Sequence, residues 1–229
     1  MGEIRIIPVT GVGQVVEADD LALLLVDAFG GNNLHNDDVM VVTQKVVSKA
    51  EGRLVPETAR EDALKAESVR ILRRTPGGMA IAETRHGFVC ANAGIDSSNV
   101  RSGQIALLPV DPDASARRLR SRIEHLTGRR VGIVISDTFG RAWRLGQTDI
   151  AIGVAGIEPF VDHRGVYDKQ GRELTATRIA VADELAGAAE MVMGKVDDVC
   201  AAVIRGAPVT WGRGAATEIV RSPGKDLFR

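Results

Sequence analysis

The five residues VGIVI at 131–135 constrain the fold most. Gly128 and two arginines precede them, and Ser136 and Asp137 follow. A short apolar run bounded by turn and polar residues reads as a buried strand, and its β-branched side chains favour strand over helix. Such a strand sits centrally in a sheet, so the chain must supply partners for it. EIRIIPV alternates as a strand does, and DVMVVTQKVVSK begins as a buried strand and turns polar at Thr43 and Gln44. MAIAET and GFVCANA, joined by RHG, form a neighbouring pair, and IAIGVAG and CAAVIRG complete the set.

Helical segments alternate with these strands. DDLALLLVDAF has acidic residues in its first turn, as a helix start prefers. Residues 58–74 carry Ala63, Ala66, Val69 and Leu72 at helical spacing, ended by TPGG. Asp111 and Pro112 read as an N-cap and a first helical proline, and Gly128 closes a helix whose stripe is Ala116, Leu119, Ile123 and Leu126. TRIAVADELAGAAEMVMG is an Ala-rich helix with Gly194 at its end. Neighbouring strands of hairpin type occur beside strand–helix units, so the expected class is α+β with a mixed sheet, not a regular doubly wound fold.

The chain has 229 residues, enough for one large domain or two small ones with a sizeable core. Formal net charge is −1, so no charged tail announces nucleic acid or a membrane surface. Aromatic content is 3%, too little for a base-stacking platform. No apolar run reaches the roughly 20 residues of a membrane span, and the N-terminus has no signal-peptide core. Cys90 and Cys200 lie far apart and read as buried, reduced thiols, so a cytoplasmic location is expected. There is no phosphate-binding GxxxxGK[ST] motif, and GVGQVV lacks the third glycine of a dinucleotide fingerprint. The arginines of SARRLRSRIEHLTGRR fall on a solvent face. Of the four histidines, His86 is the most site-like, and none has metal-ligand spacing to another. Asp183 and Glu184 are adjacent on a helix, so they point about 100° apart and make no shared metal pair.

Three tracts carry chemistry, each with a plainer alternative. In TQKVVSKAEGR, Gln44 and Lys49 suit an anionic ligand, or they are a solvated helix start. In NAGIDSSNV, Asp96 offers a hard carboxylate and Asn99 an amide, which suit magnesium or manganese; an Asx-turn is the alternative. In ISDTFGRAWRLGQTD, Asp137 and Thr138 stand at the expected end of the central strand as a carboxylate–hydroxyl pair. Arg141 and Arg144 suit phosphate or carboxylate oxygens there, and an Asp N-cap with surface arginines is the alternative; Trp143 reads as packing.

VVTQKVVSKAEGRLV, TRHGFVCANAGIDSSNV, LLPVDPDASARRLR, ISDTFGRAWRLGQTDIAIGVAGI and VADELAGAAEMVMGK together resemble the coenzyme F420-0:L-glutamate ligase family, also called F420 gamma-glutamyl ligases. The resemblance spans nearly the whole chain, in order, and is nearest to the ligase domain of the actinobacterial fused form. It implies a two-part α+β mixed-sheet fold of intertwined subdomains and a homodimer. It implies GTP-dependent addition of L-glutamate to F420-0 through an acyl phosphate. It places Asp96 and Asp137 on one divalent metal and Thr138 on a second, with Mg or Mn as the ions and K+ as a further one. Val12, Gly13, Gln14 and Val15 match a GTP-binding loop, and Gln44, Lys49 and Asn99 match further GTP contacts.

One position departs from the archaeal pattern. Where those members carry a glutamate ligand of the second metal, this chain has Lys195, as actinobacterial members tend to. A protonated lysine cannot ligate magnesium. The second ion would then lean on Thr138, GTP oxygens and water, or on Asp197 or Asp198. Residues 1–229 read as a single ligase unit without the C-terminal nitroreductase-like domain of fused members, so FMN is not expected. A nucleotide-binding regulatory module of the same fold and a ligase for a different acid remain alternative functions.

Overall fold

The computed structural model describes residues 2–226. Its regular elements are β1 (Arg5–Val9), α1 (Leu21–Phe29), β2 (Asp38–Thr43), α2 (Gln44–Ala50), β3 (Leu54–Pro56), α3 (Arg60–Glu67), β4 (Ser68–Arg74), β5 (Ala80–Thr84), β6 (Val89–Ala91) and β7 (Gln104–Ala106). These are followed by α4 (Pro112–Thr127), β8 (Val131–Arg141), β9 (Arg144–Ala155), β10 (Val161–Asp162), β11 (Arg178–Ile179), α5 (Val181–Met193) and β12 (Ala201–Arg205).

The main sheet has five strands in the order β1-β12-β2-β8-β9. Only β2 and β8 run parallel; the other three pairings are antiparallel. The class is therefore α+β with a mixed sheet, as expected. The VGIVI run lies in β8, between β2 and β9, and is fully buried.

Strand alternation divides the core in two. Met40, Val42, Ile133 and Ile135 meet α1 and α4 through Leu25, Leu119 and Ile123. Val39, Val41, Val134 and Val154 face the other way, onto Leu185, Ala186 and Ala189 of α5. Helices thus cover both faces of the sheet. A third cluster, with Leu64, Ala80, Ala82, Ile95 and Ile105, belongs to residues 54–106, where β4-β5-β6 and β3-β7 form two smaller sheets.

The Asp111–Gly128 helix forms as expected. Asp111 caps α4 by accepting from Ala114 N at 2.8 Å, and Gly128 ends it in the left-handed region. Residues 58–74 do not make one helix. α3 stops at Glu67, and SVRILRR becomes strand β4, paired with β5. The apolar spacing favoured a helix, but Val69 and Ile71 are β-branched and the backbone groups of β4 pair across the hairpin instead. Asp137 and Thr138 also need correction: β8 continues to Arg141, so the pair lies inside the strand, opposite Ile150 and Asp149. Trp143 is 86% exposed at the β8–β9 turn, so it does not pack into the core.

No helix among the described residues is long and apolar enough to cross a membrane.

Candidate active site

A cavity of about 660 Å³ opens beside β8. Four segments close around it: the loop after β1, the start of α2, the loop after β6, and the turn after α5, with the middle of the β8–β9 hairpin as floor.

The loop after β1 is pinned by Val12 and Val15, which are buried in the core, while Gly13 and Gln14 stay exposed between them. All four line the cavity. The two valines are thus buried while the middle of the loop stays open to solvent.

On α2, Lys45 and Lys49 are one turn apart and both line the cavity. The Lys45 ammonium donates to the Asp96 carboxylate, to Ser98 O at 2.6 Å and to Ser98 Oγ at 2.8 Å. Burial lowers the pKa of Lys49 and the Lys45 ammonium lowers it further, against smaller opposing effects of Cys200 and Asp198. A cation held down in this way is relieved by an anion. Gln44 behaves differently: it is 1% exposed, its Oε1 accepts from Ser48 Oγ at 2.9 Å, and its side chain lies behind the cavity wall.

The loop after β6 carries Asp96, Ser98 and Asn99. Its turn depends on Gly94, which has φ +75; an added Cβ would lie 2.7 Å from the buried Leu108 side chain. Burial works to raise the Asp96 carboxyl, but the hydrogen bonds from Lys45 and Ser98 outweigh it and hold the pKa below the ordinary value. Asn99 Nδ2 donates to Lys195 O at 3.3 Å, which links this loop to the turn after α5.

In the hairpin, register places Thr138 opposite Asp149. Asp149 is 3% exposed and accepts from Ser136 Oγ at 2.9 Å and Thr138 Oγ1 at 2.6 Å. Burial pushes the Asp137 carboxyl up to about 7; the Thr138 N–H and the Lys45 ammonium oppose this, while the nearby Asp149 and Asp96 carboxylates add to it. A carboxyl raised mainly by burial, with two carboxylates nearby, gains from a cation that restores its charged form. Cys90 also lines the cavity, but burial, helped by Asp137, raises its thiol to about 12, so it is no nucleophile.

Among the described residues no three His, Cys, Asp or Glu side chains converge as a metal cage. Asp137, with one backbone donor, fits a hard ion that takes its other ligands from a substrate phosphate and water, as magnesium often does; Asp96 joins it only by sharing its carboxylate with the Lys45 ammonium. Thr138 fits a second ion poorly, because its hydroxyl donates to Asp149 and accepts from the Lys195 ammonium.

Asp96, Asp137, Thr138, Lys49, Asn99 and residues 12–15 are thus brought together, and Gln44 is not. Sequence reasoning missed Lys45, Ser98 and Asp149. Lys45 sits one position from Gln44 in the tract already singled out, and Asp149 closes the quoted ISDTFGRAWRLGQTD; only the hairpin register shows that it faces Thr138. His86 lies outside the cavity, with Nε2 3.0 Å from Pro109 O and its ring stacked on Phe88. Asp183 accepts from Ala151 N at 2.9 Å, which is a helix-to-strand tie. Arg118 and Arg122 of α4 pair with Glu51 and Asp20.

The family model described as F420-0:Gamma-glutamyl ligase matches residues 11–70 and 62–206. The chain is 42% identical to the coenzyme F420:L-glutamate ligase of Methanothermobacter thermautotrophicus, over 99% of each chain. It is 40% identical to the ligase of the same name from Methanocaldococcus jannaschii, over 86% of each. To the Archaeoglobus fulgidus ligase it is also 40% identical, over 99% of this chain and 96% of the relative.

Proposed function

The chain belongs to the F420-0:gamma-glutamyl ligase family, and from that premise we propose that it adds L-glutamate to F420-0 in coenzyme F420 biosynthesis, with GTP as the energy source. The terminal carboxylate of F420-0 takes the γ-phosphoryl group of GTP and GDP leaves. The glutamate amine then attacks the acyl carbon. The bond from that carbon to the phosphate oxygen breaks, phosphate leaves with the electron pair, and the amine gives up a proton. The products are the amide, GDP, phosphate and one proton.

The observation that carries this reading is the charge pattern of one cavity: Asp96 and Asp137 beside Lys45, Lys49 and Lys195, under a loop with exposed Gly13 and Gln14. Phosphoryl transfer needs positioning and charge neutralisation more than covalent chemistry from the protein. Lys49 binds a GTP phosphate, the loop at residues 12–15 supplies backbone donors, and Asn99 holds the cavity's far wall to the Lys195 backbone. Asp96 and Asp137 would hold a divalent ion, Mg or Mn, which when bound offsets charge on the phosphate oxygens. Lys45 keeps Asp96 ionised and in place. Gln44, packed on Ser48 behind the wall, steadies the start of α2 rather than touching nucleotide with its side chain. A potassium requirement is read by exchanging potassium for sodium in the same assay. The active unit is a homodimer, which a sedimentation measurement on the full chain tests. Cys90 and Cys200 are unpaired, which suits the cytoplasm.

The test is GDP release measured with each substrate omitted in turn. Release beyond one GDP per site should require both F420-0 and glutamate, with product mass rising by one glutamate residue. GTP binding without release would favour a regulatory module, and release driven by another carboxylic acid but not F420-0 would favour a different acceptor.

A further inference from the structure

Lys195 enters the cavity from the turn that ends α5. Gly194, at φ +59, reverses the chain there and sends the next side chain back towards the β8–β9 hairpin. The Lys195 ammonium donates to Thr138 Oγ1 and lies 3.2 Å from Asp149 Oδ1 and 3.7 Å from Glu190 Oε1. Its backbone carbonyl is held by Asn99 at 3.3 Å. The residue is thus fixed at both ends.

The partner that matters is Asp149. It is 3% exposed and has two neutral donors, Ser136 and Thr138, neither of which cancels its charge. A buried carboxylate with no other cation in contact is stabilised by one held beside it. Lys195 supplies it. The Thr138 hydroxyl is used twice in the same arrangement, once as donor and once as acceptor. A divalent ion placed on Thr138 would have to displace that ammonium or sit against it, and either is unfavourable. On the same floor Asp96 is paired with the Lys45 ammonium, whereas Asp137 has no cation in direct contact: burial and the Asp149 and Asp96 carboxylates disfavour its charge, and only the Thr138 N–H and the more distant Lys45 favour it.

Resting on the nucleotide-dependent ligation proposed above, we propose that the Lys195 ammonium takes the place of a second divalent ion between Thr138 and Asp149. The site then works with one divalent ion, at Asp96 and Asp137, and one resident ammonium that faces the phosphate. Because the ammonium is covalently attached, that half of the charge does not depend on metal supply.

The test counts manganese bound to the full chain by electron paramagnetic resonance, with GDP saturating and with a protein-free GDP control. The parent should bind one manganese per chain. Lys195→Glu removes the ammonium, frees Thr138 and adds a carboxylate, so it should bind two. Lys195→Gln should keep one manganese and the parent's circular dichroism spectrum, while kcat falls at least ~100-fold, as for loss of one charge-stabilising donor. Two manganese ions in the parent, or only one in Lys195→Glu, would overturn the proposal. Failure of the ligase reading looks different: one manganese would still bind, but GTP, F420-0 and glutamate together would release no GDP.

Discussion

Burial pushes the Asp137 carboxyl up to about 7, and the Asp149 and Asp96 carboxylates contribute. A carboxyl raised in the folded state holds its proton there after the unfolded chain has lost its own. The resulting stability is present below the unfolded pKa and is lost as pH rises through about 7. The loss is on the order of 2–4 kcal/mol in the metal-free protein. Asp137→Asn removes the ionisation. In chelator at pH ~8 the variant should therefore melt higher than the parent, and the gap should narrow below pH ~7 and close only near pH ~4. With Asp137 as a ligand of the proposed divalent ion, the same substitution should weaken metal binding and lower ligation at least ~100-fold, taking outer-shell losses as a lower guide. A lower melting temperature in chelator at the higher pH would show that the carboxylate is not a frustrated charge. Lys49 is tested by kinetics: Lys49→Ala should raise KM for GTP roughly 10- to 150-fold and that for glutamate much less, the loss expected of one charge-assisted hydrogen bond. Equal increases for both substrates would point to general damage. That Asp137 and Lys49 line one cavity was legible from sequence, because each lies in a long motif shared with the family. Lys45 was not, because its role depends on Asp96, 51 residues away, and no local pattern reports that pairing.

At the scale of elements, polar ties set how the hairpin floor sits. Asp113, in the first turn of α4, is 5% exposed. Its Oδ1 accepts from Val154 N and Ala216 N, both at 2.8 Å, and its Oδ2 accepts from Thr217 N at 3.3 Å and Thr217 Oγ1 at 3.2 Å. One carboxylate thereby joins α4, β9 and the segment after β12. Asp113→Ala leaves several sheltered N–H groups unpaired and should destabilise the protein by about 3–5 kcal/mol in chemical denaturation, by analogy with breaking a buried charge network. A loss under about 1 kcal/mol would mean that water replaces the carboxylate. The cap of α4 at Asp111 was readable, since capping is written in adjacent residues. The division of residues 58–74 into α3 and β4 was not. Ala63, Ala66, Val69 and Leu72 satisfy helical spacing, yet Arg70 pairs with Glu83 and Arg74 with Glu61, contacts that belong to a strand on β5 and to its neighbouring helix. Long-range pairing overrode local periodicity. The same holds for β8, which runs on through Asp137 because β9 continues beside it.

The whole molecule is arranged so that the cavity draws on both core systems. The five-stranded sheet contributes Asp137, Thr138 and Asp149, and residues 54–106, with their own core, contribute Asp96 and Asn99. The turn after α5 then brings Lys195 against the hairpin, and Asn99 joins the two sides. An α+β mixed sheet was legible from the order of apolar runs; the meeting of these segments was legible only through the family resemblance, because it is a property of the three-dimensional chain path. In the proposed reaction the cavity activates a carboxylate by phosphoryl transfer before the amine attacks. The most direct measurement uses F420-0 carrying oxygen-18 in its terminal carboxylate, with GTP, glutamate and the divalent ion, followed by mass analysis of the released phosphate. Each turnover should move one labelled oxygen into phosphate, because the oxygen bonded to phosphorus in the acyl phosphate leaves with it. Glutamylated product accompanied by unlabelled phosphate would contradict this account.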